Sequence, residues 1–191
     1  MSKLISFNEE RHVYTEISSG LVVPSVTTII SSGLSLDYSR IDPWYAEFGT
    51  AVHKAVELFV IGTLDEENMM PEIEPYLLGF KKFLAETGFK AVETEQILFN
   101  KELFVAGTAD LFGTLSGKPA IVDIKSGVKQ KWHGVQTAAY ACMRDEDAEM
   151  LRFCLYLNKN SGYKLEGYKD PRDLSFFKSL VTVHHGKKRY L

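Results

Sequence analysis

Two carboxylates and an amine are spaced in this chain as hydrolytic chemistry requires. Asp110 closes Gly107-Thr108-Ala109-Asp110, and thirteen residues later Asp123-Ile124-Lys125 ends the apolar run Pro119-Ala120-Ile121-Val122. If that run is a strand, side chains alternate faces, so Asp123 and Lys125 point one way and Ile124 points into a core. Two hard oxygen ligands with room left for water suit Mg2+ or Mn2+, which polarises a phosphate and lowers the pKa of a bound water. Lys125 would orient that water, help to deprotonate it, or stabilise charge building on the phosphate. An acid-x-lysine triplet arises by chance about once in a chain of this composition, and a structural salt bridge is the plain alternative. Here the triplet occurs once. It lies on the most strand-like segment, joined to Asp110 through the turn-like Ser116-Gly117-Lys118-Pro119.

The flanking elements follow from periodicity and punctuation. Leu4 to Phe7 and Val13 to Ile17 read as a hairpin around Asn8-Glu9-Glu10-Arg11, and Ser25 to Ser31 as a short helix. Asp42-Pro43 is a helix start, an N-cap acid before a proline at the first helical position. Trp44, Phe48, Ala51, Val52, Ala55 and Phe59 then recur at helical spacing to about Ile61, with His53 flanking that apolar face and Glu57 one turn on. A second helix spans about Pro71 to Glu86 and stops at Gly88. Strands follow over Glu95 to Phe104, Val105 to Leu115 and Ala120 to Lys125, then a helix over about Gln130 to Arg144 with His133, Gln136 and Tyr140 on one face. Leu151 to Leu157 reads as a buried strand, turning at Asn158 to Gly162 into Tyr163 to Tyr168. Asp170-Pro171 opens a final helix striped with Leu174, Phe177, Leu180 and Val181.

On these residues the chain resembles the PD-(D/E)XK nuclease superfamily, and within it the RecB-type exonuclease domains. Gly49-Thr50-Ala51-Val52-His53 is similar to that branch's G-x-x-x-H motif and Gln136-Thr137-Ala138-Ala139-Tyr140 to its Q-x-x-x-Y motif, while Val23-Pro24-Ser25-Val26-Thr27-Thr28-Ile29 resembles the lead-in of small phage-type and mitochondrial relatives. The order His53, Asp110, Asp123, Lys125, Gln136, Tyr140 is also the family order. The resemblance implies an α/β fold with a restriction-endonuclease-like core, a mixed β-sheet flanked by helices. It implies one nuclease domain over residues 1–191, with 1–35 as N-terminal hairpin and lead-in and 36–191 as core. Asp110, Asp123 and Lys125 would be catalytic. His53, Asp110, Asp123 and the backbone carbonyl of Ile124 would hold Mg2+ or Mn2+. Gln136 and Tyr140 would contact substrate, with Lys129 and Lys131 beside them. Glu95 reads either as a further acid of the site or as a solvent-facing glutamate.

The implied activity is metal-dependent hydrolysis of DNA phosphodiesters at linear ends, single-stranded ones included, leaving 5'-phosphates, in recombination, repair or phage replication. A structure- or sequence-directed endonuclease is the nearest rival, and no added DNA-reading element supports it. An inactive DNA-binding or recombination-partner module is a third reading, opposed by the presence of Asp110, Asp123 and Lys125 together. A recombination-protein partner and an oligomeric form are both compatible with the resemblance.

Composition bounds these readings. The chain has 191 residues with a net charge of -3, so DNA contact must be local, at clusters such as Lys125-Lys129-Lys131, Lys81-Lys82 or Lys187-Lys188-Arg189. No apolar run approaches a membrane span and the start lacks a signal-peptide core, which leads us to expect a protein of the cytoplasm in a bacterial or phage-infected cell. Cys142 and Cys154 read as core thiols. Some relatives carry an iron-sulfur cluster on four cysteines, a ligand set that two cysteines cannot supply.

Overall fold

The computed structural model describes residues 4–37, 39, 42–144 and 149–190. A small antiparallel sheet opens it, ordered β1 (Ile5–Asn8), β2 (Val13–Glu16), β3 (Val22–Val23). Helices α1 (Val26–Leu34), α2 (Pro43–Val60) and α3 (Glu74–Thr87) come next. The main sheet then runs β4 (Lys90–Asn100), β5 (Val105–Leu115), β6 (Lys118–Lys125), β7 (Leu151–Asn158) and β8 (Gly162–Tyr168), in that spatial order. Helix α4 (His133–Arg144) joins β6 to β7, the one parallel pair among the described strands, and α5 (Arg172–Tyr190) follows β8. This is the expected mixed sheet flanked by helices.

Local chemistry accounts for the helix ends. Ser25 caps α1 by accepting from the Thr28 N–H at 3.0 Å. Asp42 caps α2 by accepting from the Trp44 N–H at 2.9 Å, with Pro43 in the first turn where no amide is needed. Gly88 closes α3 at φ +66°, the left-handed conformation that glycine adopts without a Cβ clash. Each face of the main sheet then buries its own core. Val26, Ile29 and Ile30 of α1 join Phe177, Leu180 and Val181 of α5 and Ala139 of α4 over Ala109, Phe112 and Ile121. On the opposite face Val52 and Val56 of α2 meet Phe80 and Phe83 of α3 over Leu111, Val122, Ile124 and Leu155.

Several expectations shift. Strand β4 begins at Lys90 rather than Glu95, α3 at Glu74 rather than Pro71, and α4 at His133 rather than Gln130. The two-residue β3 carries too little pattern to be read from sequence. Trp44 is not core: it is 52% exposed and stacks on Phe48, because α2 meets the sheet only from its middle onward. The small sheet is fastened to the large one. The Ala106 N–H donates to Pro24 O at 3.0 Å, and the buried Tyr14 hydroxyl bonds Thr108 Oγ1 at 2.8 Å.

Gly107 is where β5 and α4 come closest. A Cβ there would lie 2.7 Å from Tyr140 Cε1 and 3.3 Å from Val26 Cγ2, so only glycine lets the tyrosine ring lie on the strand. We therefore expect Gly107→Ala to cost about 1–3 kcal/mol in urea unfolding through overpacking. Adding Tyr140→Ala should recover part of that loss, and strict additivity in the double variant would refute the contact as its cause.

Candidate active site

Strands β5 and β6 pair only from Leu111↔Val122 to Leu115↔Lys118. Beyond that ladder β5 keeps β4 as its neighbour, while Asp123, Ile124 and Lys125 pair with Cys154, Leu155 and Tyr156 of β7. Asp110 sits in the fork. Its Oδ2 accepts the Ile124 N–H at 2.6 Å, replacing the strand-to-strand bond that the divergence removes. Its Oδ1 lies 3.3 Å from His53 Nδ1 of α2. Gly49, one turn earlier on α2, permits that approach, since a Cβ there would press to 3.3 Å from Ser126 Oγ just past β6.

Glu95 comes to Asp110 from the other side. Register pairs Thr94 with Leu111 and Gln96 with Ala109, which sets Glu95 opposite Asp110, and its φ of +46° is unusual for a residue with a Cβ. The alternation of β5 also breaks here, Ala109 packing on the α1/α4/α5 side and Leu111 on the α2/α3 side. One ligand atom from each of His53, Glu95 and Asp110 falls within 4.8 Å of the others.

Asp123 and Lys125 form a second group on the α4 side. Asp123 is 1% exposed, and its Oδ2 accepts from Lys125 Nζ at 2.6 Å and from the Cys154 thiol at 3.5 Å. Lys125 Nζ also donates to Gln136 Oε1 at 3.0 Å, and Gln136 Nε2 donates to the Tyr140 hydroxyl at 3.4 Å. Both Gln136 and Tyr140 are buried, with Tyr140 forming part of the cavity wall over the site. Thus Asp110, His53 and Glu95 converge, Asp123, Lys125, Gln136 and Tyr140 form a chain beside them, and Ile124 contributes its amide to Asp110. Lys129 and Lys131 stand apart on the exposed loop after β6, Lys129 paired with Glu166 at 2.6 Å. Of the other basic clusters, Lys81 pairs with Glu66 and Lys82 with Glu86. Lys187 and Arg189 are exposed, while the side chain of Lys188 lies outside the described residues.

Electrostatics separates these groups. Burial alone would raise Asp110, but the His53 ion pair and hydrogen bond, Lys125 and the Ile124 amide hold it below the usual carboxylate range. Burial likewise opposes charge on His53, yet Asp110 outweighs it and lifts the imidazole to about 9. Glu95 is pushed up to about 8 by burial and then by the Asp110 charge. Burial raises Asp123 despite Lys125; burial would lower Lys125, but Asp123 and Asp110 keep it protonated. Glu95 and Asp110 repel each other, and a divalent cation would relieve that repulsion while taking the place of the His53 proton, so the residues fit such an ion. His53, Glu95 and Asp110 are the groups placed to hold it.

A cavity of about 530 Å3 opens over these three residues. It is lined as well by Phe7, His12 and Tyr14 of the β1–β2 hairpin and by Tyr45 of α2. Sequence reasoning did not bring that wall to the site. The alternation of Val13 to Ile17 marks Tyr14 as inward-facing, but the partner strand it packs on is not written in its own segment. From sequence Cys154 reads only as core, because its position beside Asp123 depends on the β6–β7 register.

Comparison with known proteins adds a likeness of fold. The chain is similar to the crystal structure of a presumed exonuclease from Eubacterium rectale, with a TM-score of 0.52 and 13% identity, over 73% of this chain and 65% of that one. The chain thus aligns with somewhat under two thirds of that protein. An alkaline exonuclease from Laribacter hongkongensis aligns over 85% of this chain and 86% of its own at 11% identity, with a TM-score of 0.44. No family model and no curated protein matches the sequence. No helix among the described residues is long and apolar enough to cross a membrane.

The shifted groups set a pH dependence for the metal-free protein. His53 is raised from 6.5 to about 9, so its ion pair stabilises the fold fully below 6.5 and is lost as pH climbs through 9. Glu95 is raised from 4.5 to about 8, so the cost of ionising it in the folded state also builds with rising pH. In EDTA, stability should fall between about pH 6.5 and 8 from both causes. Saturating Mg2+ should restore it, and Glu95→Gln should flatten the slope. Urea midpoints across that range test this, and an unchanged slope in Glu95→Gln would refute the assignment.

Proposed function

We propose that the protein is a divalent-metal-dependent DNA exonuclease. The reading rests above all on one observation: the His53–Glu95–Asp110 donor cluster lines an open cavity, and the Asp123–Lys125 pair lies next to it behind Asp110. The fold shared with the presumed exonuclease from Eubacterium rectale is consistent with it. The 191 residues would form one nuclease domain, acting on linear DNA ends in the cytoplasm and serving recombination, repair or phage replication. We read the ion as Mg2+ or Mn2+, since oxygen donors with a single imidazole suit both. When bound, it supplies Lewis-acid polarisation of a phosphate oxygen and a water of lowered pKa.

The chain's own groups do the rest. Lys125 is held as an ammonium by Asp123 and Asp110, so it acts as a fixed positive charge toward the non-bridging phosphate oxygens as negative charge grows on them. That state makes it a poor base, and of its three candidate roles charge stabilisation is the one we adopt. Gln136 fixes Lys125 Nζ at 3.0 Å and is itself bonded by Nε2 to the Tyr140 hydroxyl, so the Q-x-x-x-Y residues orient the lysine from α4. Asp123, committed through Oδ2 to Lys125 and Cys154, fixes the ammonium from β6. Tyr140, which lines the cavity, would meet substrate, and hydrolysis would leave a 5'-phosphate.

End-labelled linear single- and double-stranded DNA, with a closed circular control, should be incubated with Mg2+, Mn2+ or EDTA. We expect loss of linear DNA alone, only with metal. Asp110→Ala should fall to background, while Lys125→Ala and Asp123→Ala, which remove or release the same ammonium, should each lose on the order of 10^2- to 10^3-fold, the usual scale for one preorganised charge-stabilising group. Cutting of the circle would make it an endonuclease. No cleavage by folded protein would favour a binding module, and wild-type rates in Asp110→Ala would end the metal reading.

A further inference from the structure

We propose that the small N-terminal sheet is a nucleobase-binding wall, and that Phe7, His12 and Tyr45 hold the unpaired base next to the bond being cut, selecting single-stranded DNA ends. The inference rests on the nuclease reading above and specifies its substrate. These three residues line the same cavity as His53, Glu95 and Asp110, so a nucleotide over the acids has its base within reach of their rings. Its volume of about 530 Å3 lies within the usual range for a small-ligand site.

The rings are braced. Phe7 stacks on Tyr14 with centroids 4.5 Å apart at 23°, and the His12 ring meets Phe7 edge-on at 5.2 Å and 88°. Tyr14 ties this set to β5 through Thr108, so wall and floor share one strand. His12 closes the β1–β2 turn at φ +50°, where asparagine or glycine would be cheaper, and is exposed. Tyr45 is 64% exposed and packs edge-on against Trp44 at 5.2 Å, so its position costs the fold little and offers a ring to the cavity.

Charge separates the base from the backbone. Among the described residues no lysine or arginine lines the cavity, whereas Glu9, Glu95 and Asp110 do. Glu95 and Asp110 would be matched by the bound cation, but Glu9, in the turn with His12, would repel the phosphates of a second strand, while an uncharged base meets ring faces and the hydroxyls of Ser25, Thr27, Thr50 and Thr108. Inside a duplex a base presents its faces to its stacked neighbours. At a flush end only one face of the terminal pair is free and its pairing edge is occupied, so an unpaired base makes fuller use of rings and hydroxyls of this kind.

The test uses the full chain and single-stranded oligonucleotides carrying 2-aminopurine at either end, bound in Ca2+, alongside cleavage in Mg2+ of single strands, flush duplexes and strands with an abasic terminal residue. We expect a change in 2-aminopurine fluorescence at one end, absent in His12→Ala and Tyr45→Ala. Each variant should lose at least about fivefold in kcat/KM on normal single strands, the lower bound for one base–aromatic stack. Neither should lose activity on the abasic-ended strand, which already lacks the base. Equal losses on normal and abasic ends would mean the rings act only structurally and would overturn the proposal, as would a wild-type preference for flush duplexes. Cleavage without any fluorescence change would refute the wall and leave the nuclease reading standing. A fluorescence change lost in the variants, without cleavage of any substrate by wild type, would support the wall and end the nuclease reading.

Discussion

The divergence of β5 from β6 at Asp110 is the constraint on which the site depends. A sheet that kept its ladder would bury Asp110 against a fully bonded neighbour and leave no opening. Here pairing ends at Leu111↔Val122, and the amide that would be orphaned, that of Ile124, is satisfied by the Asp110 carboxylate at 2.6 Å. One side chain therefore performs two tasks: it completes the hydrogen bonding of a broken ladder and it brings a negative charge into the gap. The kink at Glu95 belongs to the same break, because a regular β4 would continue its alternation past Asp110 and direct the second acid differently.

Charge crowding follows from that geometry. Asp110 is stabilised as an anion by His53, Lys125 and the Ile124 amide, and it then opposes ionisation of Glu95 and of Asp123. The protein offsets part of this internally with Lys125 on one side and a protonated His53 on the other. Because His53 keeps 28% of its side-chain surface exposed, solvent screens its share, while Asp123 at 1% exposure depends on its lysine. A fold that concentrates acids in this way gives up stability at the site, a pattern common where function requires a charge to be recruited.

The sequence made the elements legible where a local rule governs them. Asp42-Pro43 marked the start of α2, Gly88 the end of α3, and period-two alternation put Asp123 and Lys125 on one face with Ile124 in the core. It was less informative wherever a residue's position depends on a distant partner. The segment around Glu95 does not decide between site and solvent, because only the β4–β5 register sets it opposite Asp110. The periodicity that counted Trp44 as core failed for a similar reason: helical spacing shows that a face exists, not how far along the helix its partner extends. The spacing of the Q-x-x-x-Y motif did put Gln136 and Tyr140 on one face of α4, but the bond to Lys125 requires the β6–α4–β7 crossover.

Strand β5 joins the two halves of the cavity. Thr108 and Asp110, two residues apart, both line it: Thr108 holds the aromatic wall through Tyr14, and Asp110 holds the acidic floor through His53 and Ile124. The break at Asp110 opens the floor, and Gly107 beside it admits the Tyr140 ring that leads to Gln136 and Lys125. Four successive residues, Gly107-Thr108-Ala109-Asp110, thus set the depth, wall, packing and charge of the site in turn, Ala109 filling the core beneath. A shift of one residue in the β4–β5 register would exchange these roles and turn each side chain to the opposite face. The N-terminal sheet is therefore part of the site's construction, since its Tyr14–Thr108 bond and its packing on Ala106 set the wall without touching a single acid.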